Sequence, residues 1–427
     1  MNVADSQRVS SALEKLGYEH TPKIENADVI VLNTCVVRQS AEDKAVGRLS
    51  SLRPLKKNHP SLVINLMGCM VGIKDNSRLK ERFPYVDVFS APSDPLPLIN
   101  YLANQQESRE LENEETTRRF AHMDGTLILP LHMQGTLVAT HIPVVYGCSH
   151  ACTYCIIPYQ RGGEISRPAH EILAEARSLG SQGVKEITLL GQIVDRYGKD
   201  QPEFPSLASL LRQMHEIDTI ERLRFLTSHP NWMTDELLET VRDYPKVMPH
   251  IEVPAQSGDN TVLENMQRGY TREQYIELVE HIRERIPGVS IATDIIVGFP
   301  GETEAQFQNT YNMLSELKMD VAHLARYSPR EGTVSARRMP NDVSELEKWS
   351  RFRQLEILQE RIVAEIHSGY LSKSTPVLFE EKIKNRWKGR TPTNKLVFVE
   401  TEENLRGQVK DVIVRWTGPW SMIADLA

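Results

Sequence analysis

The sequence lacks the features of membrane-spanning, secreted and strongly basic proteins. No stretch approaches the roughly 18 consecutive apolar residues of a membrane-spanning helix. Residues 1–20 are polar and mixed in charge, without the continuous apolar segment of a signal peptide. The 57 acidic residues outnumber the 50 lysines and arginines, for a formal net charge of −7. We therefore expect a soluble cytoplasmic protein in which any contact with nucleic acid is local.

Cysteine is also scarce, with five in 427 residues. An odd number spread over so long a chain argues against the disulfide framework of small secreted domains. Three of the five lie within eight residues, at Cys148, Cys152 and Cys155, whereas Cys35 and Cys69 stand alone. This distribution indicates metal ligation in a reducing compartment.

Chain length predicts two to four domains, at roughly 100 to 200 residues each. Residues 1–104 alternate helical patterns with short β-rich runs, which is typical of a small parallel α/β domain. The charged segment 105–135 predicts a linker. Residues 373–427 show short β patterns separated by polar turns, as in a small all-β barrel.

Between these parts, residues 136–368 repeat a strand–helix unit. Six units are too few for a complete eight-fold barrel, so we expect a partial one. The predicted strands are His141–Tyr146, Glu186–Leu190, Leu223–Leu226, Met248–Val253, Ser290–Val297 and Val321–Arg326, and the predicted helices are 169–181, 206–215, 234–242, 272–286 and 303–316. An amphipathic helix over 345–367 follows, with Leu346, Trp349, Phe352, Leu355, Leu358, Ile362 and Ile366 on one side.

The C-terminal segment contains a run of positive charge. Six basic residues occur between positions 382 and 395 with no acid among them, and one tryptophan is interleaved. Such a run is usually a solvated surface, but its separation from an acidic body favours a nucleic-acid contact. The predicted RNA-binding residues are Lys382, Lys384, Arg386, Trp387, Lys388, Arg390 and Lys395.

The three clustered cysteines form a Cys-x3-Cys-x2-Cys motif after the first predicted barrel strand. Three thiolates suit a cubane iron–sulfur cluster and leave one iron without a protein ligand. Structural zinc is the alternative, although it normally requires four ligands. Cys35 and Cys69 follow the two N-terminal strands, at the sheet edge where ligands of open α/β sheets bind, but two ordinary half-buried cysteines would produce the same pattern.

The motif and its place in a partial barrel resemble the radical S-adenosylmethionine superfamily. That resemblance implies a [4Fe-4S] cluster at Cys148, Cys152 and Cys155, whose open iron binds S-adenosylmethionine. One electron then cleaves the cofactor to methionine and a 5′-deoxyadenosyl radical, so the cofactor supplies the chemistry and the protein supplies binding and orientation.

A narrower resemblance covers essentially the whole chain. The segments Asn33–Arg38, Met67–Met70, Gly147–Gly162, Leu190–Gln192, Thr227–Pro230, Gln256–Gly258 and Thr293–Thr303 are similar, in order, to signatures of the methylthiotransferase family. The family fold is a flavodoxin-like α/β domain, a partial (βα)6 barrel and a C-terminal all-β TRAM barrel. Thr227–Pro230 and Ala292–Ile296 are most similar to the branch that adds a methylthio group at C2 of N6-isopentenyladenosine 37 of tRNA.

This resemblance implies further cofactors and partners. Cys35 and Cys69 would ligate an auxiliary [4Fe-4S] cluster that holds or donates the inserted sulfur. Two S-adenosylmethionine molecules are implied per turnover, one as methyl donor and one as radical source. The implied partners are tRNA and an electron donor such as flavodoxin or ferredoxin.

Other residues carry weaker predictions. Gln192, Gln256, Gly298 and Glu302 are predicted to contact the cofactor, although Gly298–Thr303 also reads as a plain strand-to-helix turn capped by Thr303. Arg161 and Arg167 are candidates for neutralising a carboxylate or RNA phosphates, with ordinary surface arginines as the simpler interpretation.

One departure from the family concerns the auxiliary cluster. Family members have three N-terminal cysteines, the first in a Gly-Cys-Gln-Met-Asn segment, whereas this sequence begins Met1-Asn2-Val3. With only Cys35 and Cys69, we expect poor retention of the auxiliary cluster and little methylthiolation, whether the start is misplaced or the variant is real.

Two alternatives remain open at this stage. The acceptor could instead be N6-threonylcarbamoyladenosine in tRNA or a ribosomal-protein aspartate. The chain could also be an RNA-binding iron–sulfur protein without turnover.

Overall fold

The computed structural model describes residues 1–74, 76–105 and 127–427. These residues form a three-stranded parallel sheet, a set of six parallel strands surrounded by helices, and a closed five-stranded barrel. None of the helices in these ranges is long and apolar enough to cross a membrane.

The N-terminal unit is a sheet of order β1-β2-β3 with helices packed around it. Its strands are β1 (Val29–Thr34), β2 (Val63–Gly68) and β3 (Val88–Ser90), and its helices are α1 (Asn2–Lys15), α2 (Gln39–Asn58), α3 (Ser77–Arg82) and α4 (Leu96–Gln105). All six residues of the central strand β2 are buried, including Asn65, which accepts a hydrogen bond from the Ser90 hydroxyl at 3.1 Å. Parallel pairing places the carboxyl ends of β1 and β2 side by side, so Cys35 and Cys69 follow neighbouring strands.

The middle unit is the predicted partial barrel. Its parallel strands are β4 (Ala139–Pro143), β7 (Glu186–Leu190), β8 (Arg222–Leu226), β9 (His250–Glu252), β10 (Ser290–Val297) and β11 (Val321–Arg326), and a short hairpin adds β5 (Val145–Tyr146) and β6 (Ile165–Ser166). The sheets β4-β7-β8 and β11-β10-β9 meet where Leu223 pairs with Val247. The six strands are therefore one curved, open wall, and the prediction of a partial barrel is confirmed.

Nine helices in the described chain accompany these strands. They are α5 (Ile157–Arg161), α6 (Ala169–Ser181), α7 (Leu207–His215), α8 (Asp235–Asp243), α9 (Asn260–Asn265), α10 (Arg272–Arg285), α11 (Glu304–Leu317), α12 (Val334–Arg338) and α13 (Glu345–Ser368). Thr271, Thr303 and Ser344 begin three of them with capping boxes, in which the residue three positions later reaches back to the cap. These local signals explain why the predicted helix starts agree with the structure.

Two segments flank the barrel. Most of the predicted linker lies outside the described residues, and at its end Leu127 and Leu129 are buried in the barrel core. The amphipathic helix is present as α13, on which Leu355, Leu358 and Ile362 are buried, whereas Leu346 is 84% exposed and Trp349 is 44% exposed. Near its N-terminal end α13 packs on the barrel through Lys348 and Arg351, which are buried beside Gly298 and Glu302, so its apolar side is only partly covered.

The C-terminal unit is a closed barrel of order β12-β13-β14-β16-β15. Its strands are β12 (Ser374–Ile383), β13 (Arg386–Arg390), β14 (Leu396–Glu400), β15 (Val409–Thr417) and β16 (Met422–Leu426). A Cβ added at Gly389 would lie 2.5 Å from Val377 Cγ1 and 2.6 Å from Leu378 O, so only glycine permits β12 and β13 to approach this closely. The predicted all-β barrel is confirmed.

Arginines of β8 join this barrel to the partial barrel. Arg224 donates to Glu186 Oε1 (3.0 Å), Pro392 O (2.9 Å) and Thr391 O (3.0 Å). Arg222 donates to Arg390 O at 2.7 Å. The Arg224 and Glu186 side chains are only 3% and 7% exposed, so this ion pair is buried.

We expect Arg224→Met to destabilise the protein by about 3–5 kcal/mol, because the substitution leaves Glu186 charged and unpaired in a buried site. The measurement is urea denaturation followed by circular dichroism. The control is Arg415→Met, which removes an ion pair to Asp425 at a 70% exposed position and should cost about 0–1 kcal/mol. Equal midpoints for the two variants would contradict this account of the domain contact.

Candidate functional site

The three clustered cysteines lie in the loop between β5 and α5. Gly147 begins the loop with φ +65°, and a Cβ there would lie 2.0 Å from Gly163 O. Cys148 N donates to Gly162 O at 3.1 Å, which closes the loop on itself. Thr153 ties it to the barrel by donating from its amide to Met266 O (3.1 Å) and from its hydroxyl to Asn265 O (2.8 Å). The sulfur atoms are therefore presented by a loop with fixed backbone.

The environments of the three thiols differ. Burial raises the pKa of Cys155 to about 12 and also raises that of Cys148. Burial would raise the pKa of Cys152 as well, but hydrogen bonding to His150 and the charge of Arg268 outweigh it and lower that pKa. Arg268 Nη1 donates to Cys152 Sγ at 3.2 Å, and its Nε donates to Tyr270 Oη at 3.0 Å.

This donor set fits an iron–sulfur cluster better than a single metal ion. Within the described ranges, no three Cys, His, Asp or Glu side chains are placed to share one ion, which disfavours the zinc alternative. A cubane cluster takes each thiolate at a different iron, so its ligands stand further apart. Cys148 and Cys152 are nevertheless near enough to Cys155 for their charges to act on it. Three soft donors with a buried arginine beside one of them suit such a cluster.

A cavity of about 750 Å³ opens beside this loop. Tyr154 and Cys155 line one part of it, and Gln256 and Asp294 line the interior of the partial barrel. The segment that follows Cys35 lines another part, through residues 37–40 and 43. The N-terminal end of α13 completes the lining with Glu345, Trp349 and Phe352. One cavity is thus bounded by both cysteine-bearing domains.

Two carboxyl groups lie in the barrel interior. Burial, with a contribution from the charge of Asp294, raises the pKa of Glu252 to about 7. Burial also raises the pKa of Asp294, against the opposing charges of His323 and Arg38. Near neutral pH, Glu252 is therefore present partly as a neutral acid, which can donate a hydrogen bond as well as accept one.

The predicted cofactor residues are not all brought together. Gln256 lines the cavity and holds φ +72°. Gln192 is not among the residues that line this cavity in the described chain, and its Nε2 lies 3.2 Å from Met1 Sδ. Glu302 is buried and accepts hydrogen bonds from Gly298 N (2.6 Å) and Arg351 Nη1 (2.9 Å). Within the described chain, neither Gly298 nor Glu302 lines this cavity, and their contacts secure α13 to the barrel.

The two lone cysteines lie in adjacent, linked loops. Cys69 N donates to Thr34 O at 3.0 Å, and Thr34 Oγ1 donates to Met67 O at 2.7 Å. A Cβ at Gly68 would lie 2.5 Å from Thr34 O, so this close approach requires glycine. Burial raises the pKa of the Cys69 thiol, while the charge of Arg161 opposes that rise.

Arg161 and Arg167 are not surface arginines. Arg161 is 4% exposed, and its Nε donates to Cys69 Sγ at 3.2 Å while its Nη2 donates to Asn2 Oδ1 at 3.0 Å. Arg167 is also buried and pairs with Glu175 at 2.8 Å. The simpler interpretation of both residues is therefore wrong. Arg161, on α5, directly links the loop after Cys155 to the Cys69 site.

The predicted RNA-binding stripe requires two corrections. Trp387 is 5% exposed in the core of the C-terminal barrel, since it is on the inner side of β13, so it cannot stack on a base. Lys395 is 5% exposed and ion-paired with Asp320 of the partial barrel. Four other members have acidic partners on nearby strands and turns: Lys382 with Glu402, Arg386 with Glu400, Lys388 with Glu381, and Arg390 with Glu380. Lys384 is exposed in the turn between β12 and β13.

Comparison with known sequences identifies the family. Residues 142–314 match the family model described as the radical SAM superfamily, and residues 1–91 match uncharacterized protein family UPF0004. The tRNA-2-methylthio-N(6)-dimethylallyladenosine synthase of Roseiflexus sp. (strain RS-1) is 44% identical, over 100% of this chain and 87% of that protein. That of Herpetosiphon aurantiacus is 43% identical, over 100% of this chain and 95% of that protein. The chain belongs to this synthase family.

Solved structures agree at the level of the fold. The radical S-adenosylmethionine methyltransferase TsrM of Kitasatospora setae, solved with cobalamin and a [4Fe-4S] cluster bound, has a TM-score of 0.57 to this chain. The similarity covers 78% of this chain and 74% of TsrM at 15% sequence identity. The partial-barrel fold that was expected from the cysteine motif is thereby confirmed for this chain.

We expect the thiols of the metal-free chain to react at different rates with iodoacetamide at pH 8. Cys152 should be alkylated before Cys148 and Cys155, because its lowered pKa gives it the largest thiolate fraction of the three. Peptide mass spectrometry measures the order. Arg268→Gln should slow the reaction at Cys152 and leave that at Cys148 unchanged. Equal rates at all three thiols in the unsubstituted chain would contradict the assignment.

Proposed function

We propose that this chain adds a 2-methylthio group to N6-dimethylallyladenosine at position 37 of tRNA by radical S-adenosylmethionine chemistry. The observation that carries the proposal is the shared cavity. Cys155 lines it from the barrel, and the residues directly after Cys35 line it from the N-terminal domain. A base in this cavity would lie next to Cys155 and to the segment that follows Cys35. Identity of 39–44% over the whole chain to tRNA-2-methylthio-N(6)-dimethylallyladenosine synthases supports the same acceptor.

In this proposal Cys148, Cys152 and Cys155 hold the radical cluster. Arg268 stabilises the thiolate form of Cys152, because its guanidinium lies 3.2 Å from that sulfur. When bound, the cluster and S-adenosylmethionine together supply a radical able to abstract hydrogen from carbon. The chain contributes position, since the closed loop and its links to Asn265 and Met266 fix the thiols relative to the cavity.

Cys35 and Cys69 are proposed to hold the second cluster and the sulfur to be transferred, and with these two protein ligands we expect the cluster to be retained poorly and methylthiolation to be slow. Arg161 supports this site by placing its charge against Cys69 in a buried position. Two S-adenosylmethionine molecules are needed per turnover, one to methylate the sulfur and one as the radical source. A separate reductant, such as flavodoxin or ferredoxin, would supply electrons.

The cavity also carries polar groups suited to a purine. Gln256 offers an amide, and Asp294 offers a carboxyl group in the same space. Such groups can pair with the donor and acceptor edges of adenine or with cofactor hydroxyls. We propose that they orient the target base so that C2 faces the thiols. The proposal includes a cytoplasmic location, where thiols remain reduced.

The proposal predicts that the two groups of cysteines can be separated by activity. Changing Cys148, Cys152 and Cys155 to Ala should abolish both 5′-deoxyadenosine and methylthio product, because no radical forms. Changing Cys35 and Cys69 to Ala should abolish only the product. Anaerobic reconstitution, dithionite, S-adenosylmethionine and mass spectrometry of the nucleosides provide the measurement. Methylthio product from the Cys35/Cys69 variant would contradict the sulfur-site assignment.

The C-terminal barrel is proposed to bind tRNA through the turn between β12 and β13. Lys384→Glu combined with Arg386→Glu should raise Kd several-fold and make binding less salt-dependent, since phosphate contacts release counterions. Filter binding across a salt series tests this. Lys373→Glu is the control, because Lys373 is exposed at the opposite end of β12. Equal effects of the control and the double variant would place the RNA elsewhere.

A further inference from the structure

One side of the large cavity is an apolar surface that the protein leaves partly uncovered. It consists of Leu324 on β11 with Trp349 and Phe352 on α13, and we call it the aromatic wall. The two rings lie edge to face, with centroids 5.8 Å apart. Trp349 is 44% exposed, which is unusual for a large aromatic residue that lines a cavity. Such a surface gains free energy when an apolar group covers it.

The charges beside the aromatic wall are already matched. The Arg326 guanidinium lies 3.8 Å from the centroid of the Trp349 ring and pairs with Glu345 at 2.8 Å. Arg353, whose guanidinium is 5.7 Å from the same centroid, pairs with Glu356. An anionic ligand group at the wall would therefore meet Glu345 as well as Arg326. This balance favours an uncharged ligand group.

The rest of the cavity differs in character. Its barrel side carries the carboxyl group of Asp294, the amide of Gln256 and the imidazole of His323. These groups suit the heteroatoms of a nucleoside, whereas the aromatic wall suits hydrocarbon. A ligand that fills both parts must combine a polar ring system with an apolar extension.

We propose that the aromatic wall binds the dimethylallyl group on N6 of the target adenosine and thereby selects adenosines that carry it. This inference rests on the proposed function and deepens it, because it assigns acceptor selection to Leu324, Trp349 and Phe352. The dimethylallyl group has five carbons and no charge, so it can cover the exposed part of Trp349. A threonylcarbamoyl group would bring a carboxylate to the Arg326–Glu345 ion pair, whose charges are already matched.

The test compares two anticodon stem-loops that differ only in the N6 substituent. One carries N6-dimethylallyladenosine at the target position, and the other carries unmodified adenosine. Kd is measured for each with the reconstituted full chain. The wild type should prefer the dimethylallyl RNA. Trp349→Ala should weaken binding of that RNA by about tenfold or more, the usual range for loss of apolar pocket contacts, and leave binding of the adenosine RNA unchanged.

The matched control is Leu346→Ala. Leu346 lies on the same helix and is 84% exposed, but it is not among the residues that line this cavity in the described chain. It should leave both Kd values unchanged. A second pair, Trp349→Leu and Trp349→Gln, separates apolar contact from side-chain size. Leu should retain part of the preference and Gln should lose it, a comparison that does not depend on the alanine variant being folded.

Two results would overturn the assignment. Equal loss of affinity for both RNAs would mean that Trp349 stacks on a neighbouring base, and no loss for either would mean that the wall is not used. Methylthio product from wild type is measured in parallel. Absence of product would count against the proposed function, whereas product formation with an unchanged preference in the Trp349 variants would count against this inference alone.

Discussion

The arrangement depends on buried arginines that fasten the N-terminal domain to the partial barrel. Arg330, only 7% exposed, donates to Val36 O at 3.2 Å and to Glu42 at 2.9 Å. Arg161 reaches Cys69 and Asn2 from the other side. Because a buried guanidinium requires its partners, these contacts leave little freedom in how the domains meet. They place the loop after Cys35 beside the cavity that Cys155 lines, and all of the proposed chemistry follows from that proximity.

Much of this fold could be predicted from local patterns. The strand predicted at Ser290–Val297 has the bounds observed in the structure, and helix starts at Thr303 and Ser344 follow from their capping residues. The spacing of Cys148, Cys152 and Cys155 indicated a cluster because those ligands are close in sequence. Features of this kind are set by residues that are close together along the chain, so they can be predicted from the sequence alone.

The remaining site residues depend on contacts in space. Arg268 is 116 residues from the Cys152 sulfur that it contacts, and no local pattern marks it. The run of positive charge likewise did not show its ion pairs, since the acids that pair with it lie on other strands and turns. Trp387 turns inward because side chains alternate between the two sides of β13. The sequence places Trp349 on the apolar side of α13, but the barrel buries that side only towards the C-terminal end of the helix. The contact of Arg268 and the partial cover of Trp349 reflect packing between segments far apart in sequence.

The proposed chemistry requires the target carbon to be bound in the cavity that Cys155 and the segment after Cys35 border. The most direct measurement uses an anticodon stem-loop with deuterium at C2 of N6-dimethylallyladenosine, incubated with the reduced, reconstituted protein and S-adenosylmethionine. The account predicts 5′-deoxyadenosine that carries one deuterium, formed together with the methylthio product. Methylthio product accompanied only by unlabelled 5′-deoxyadenosine would contradict it.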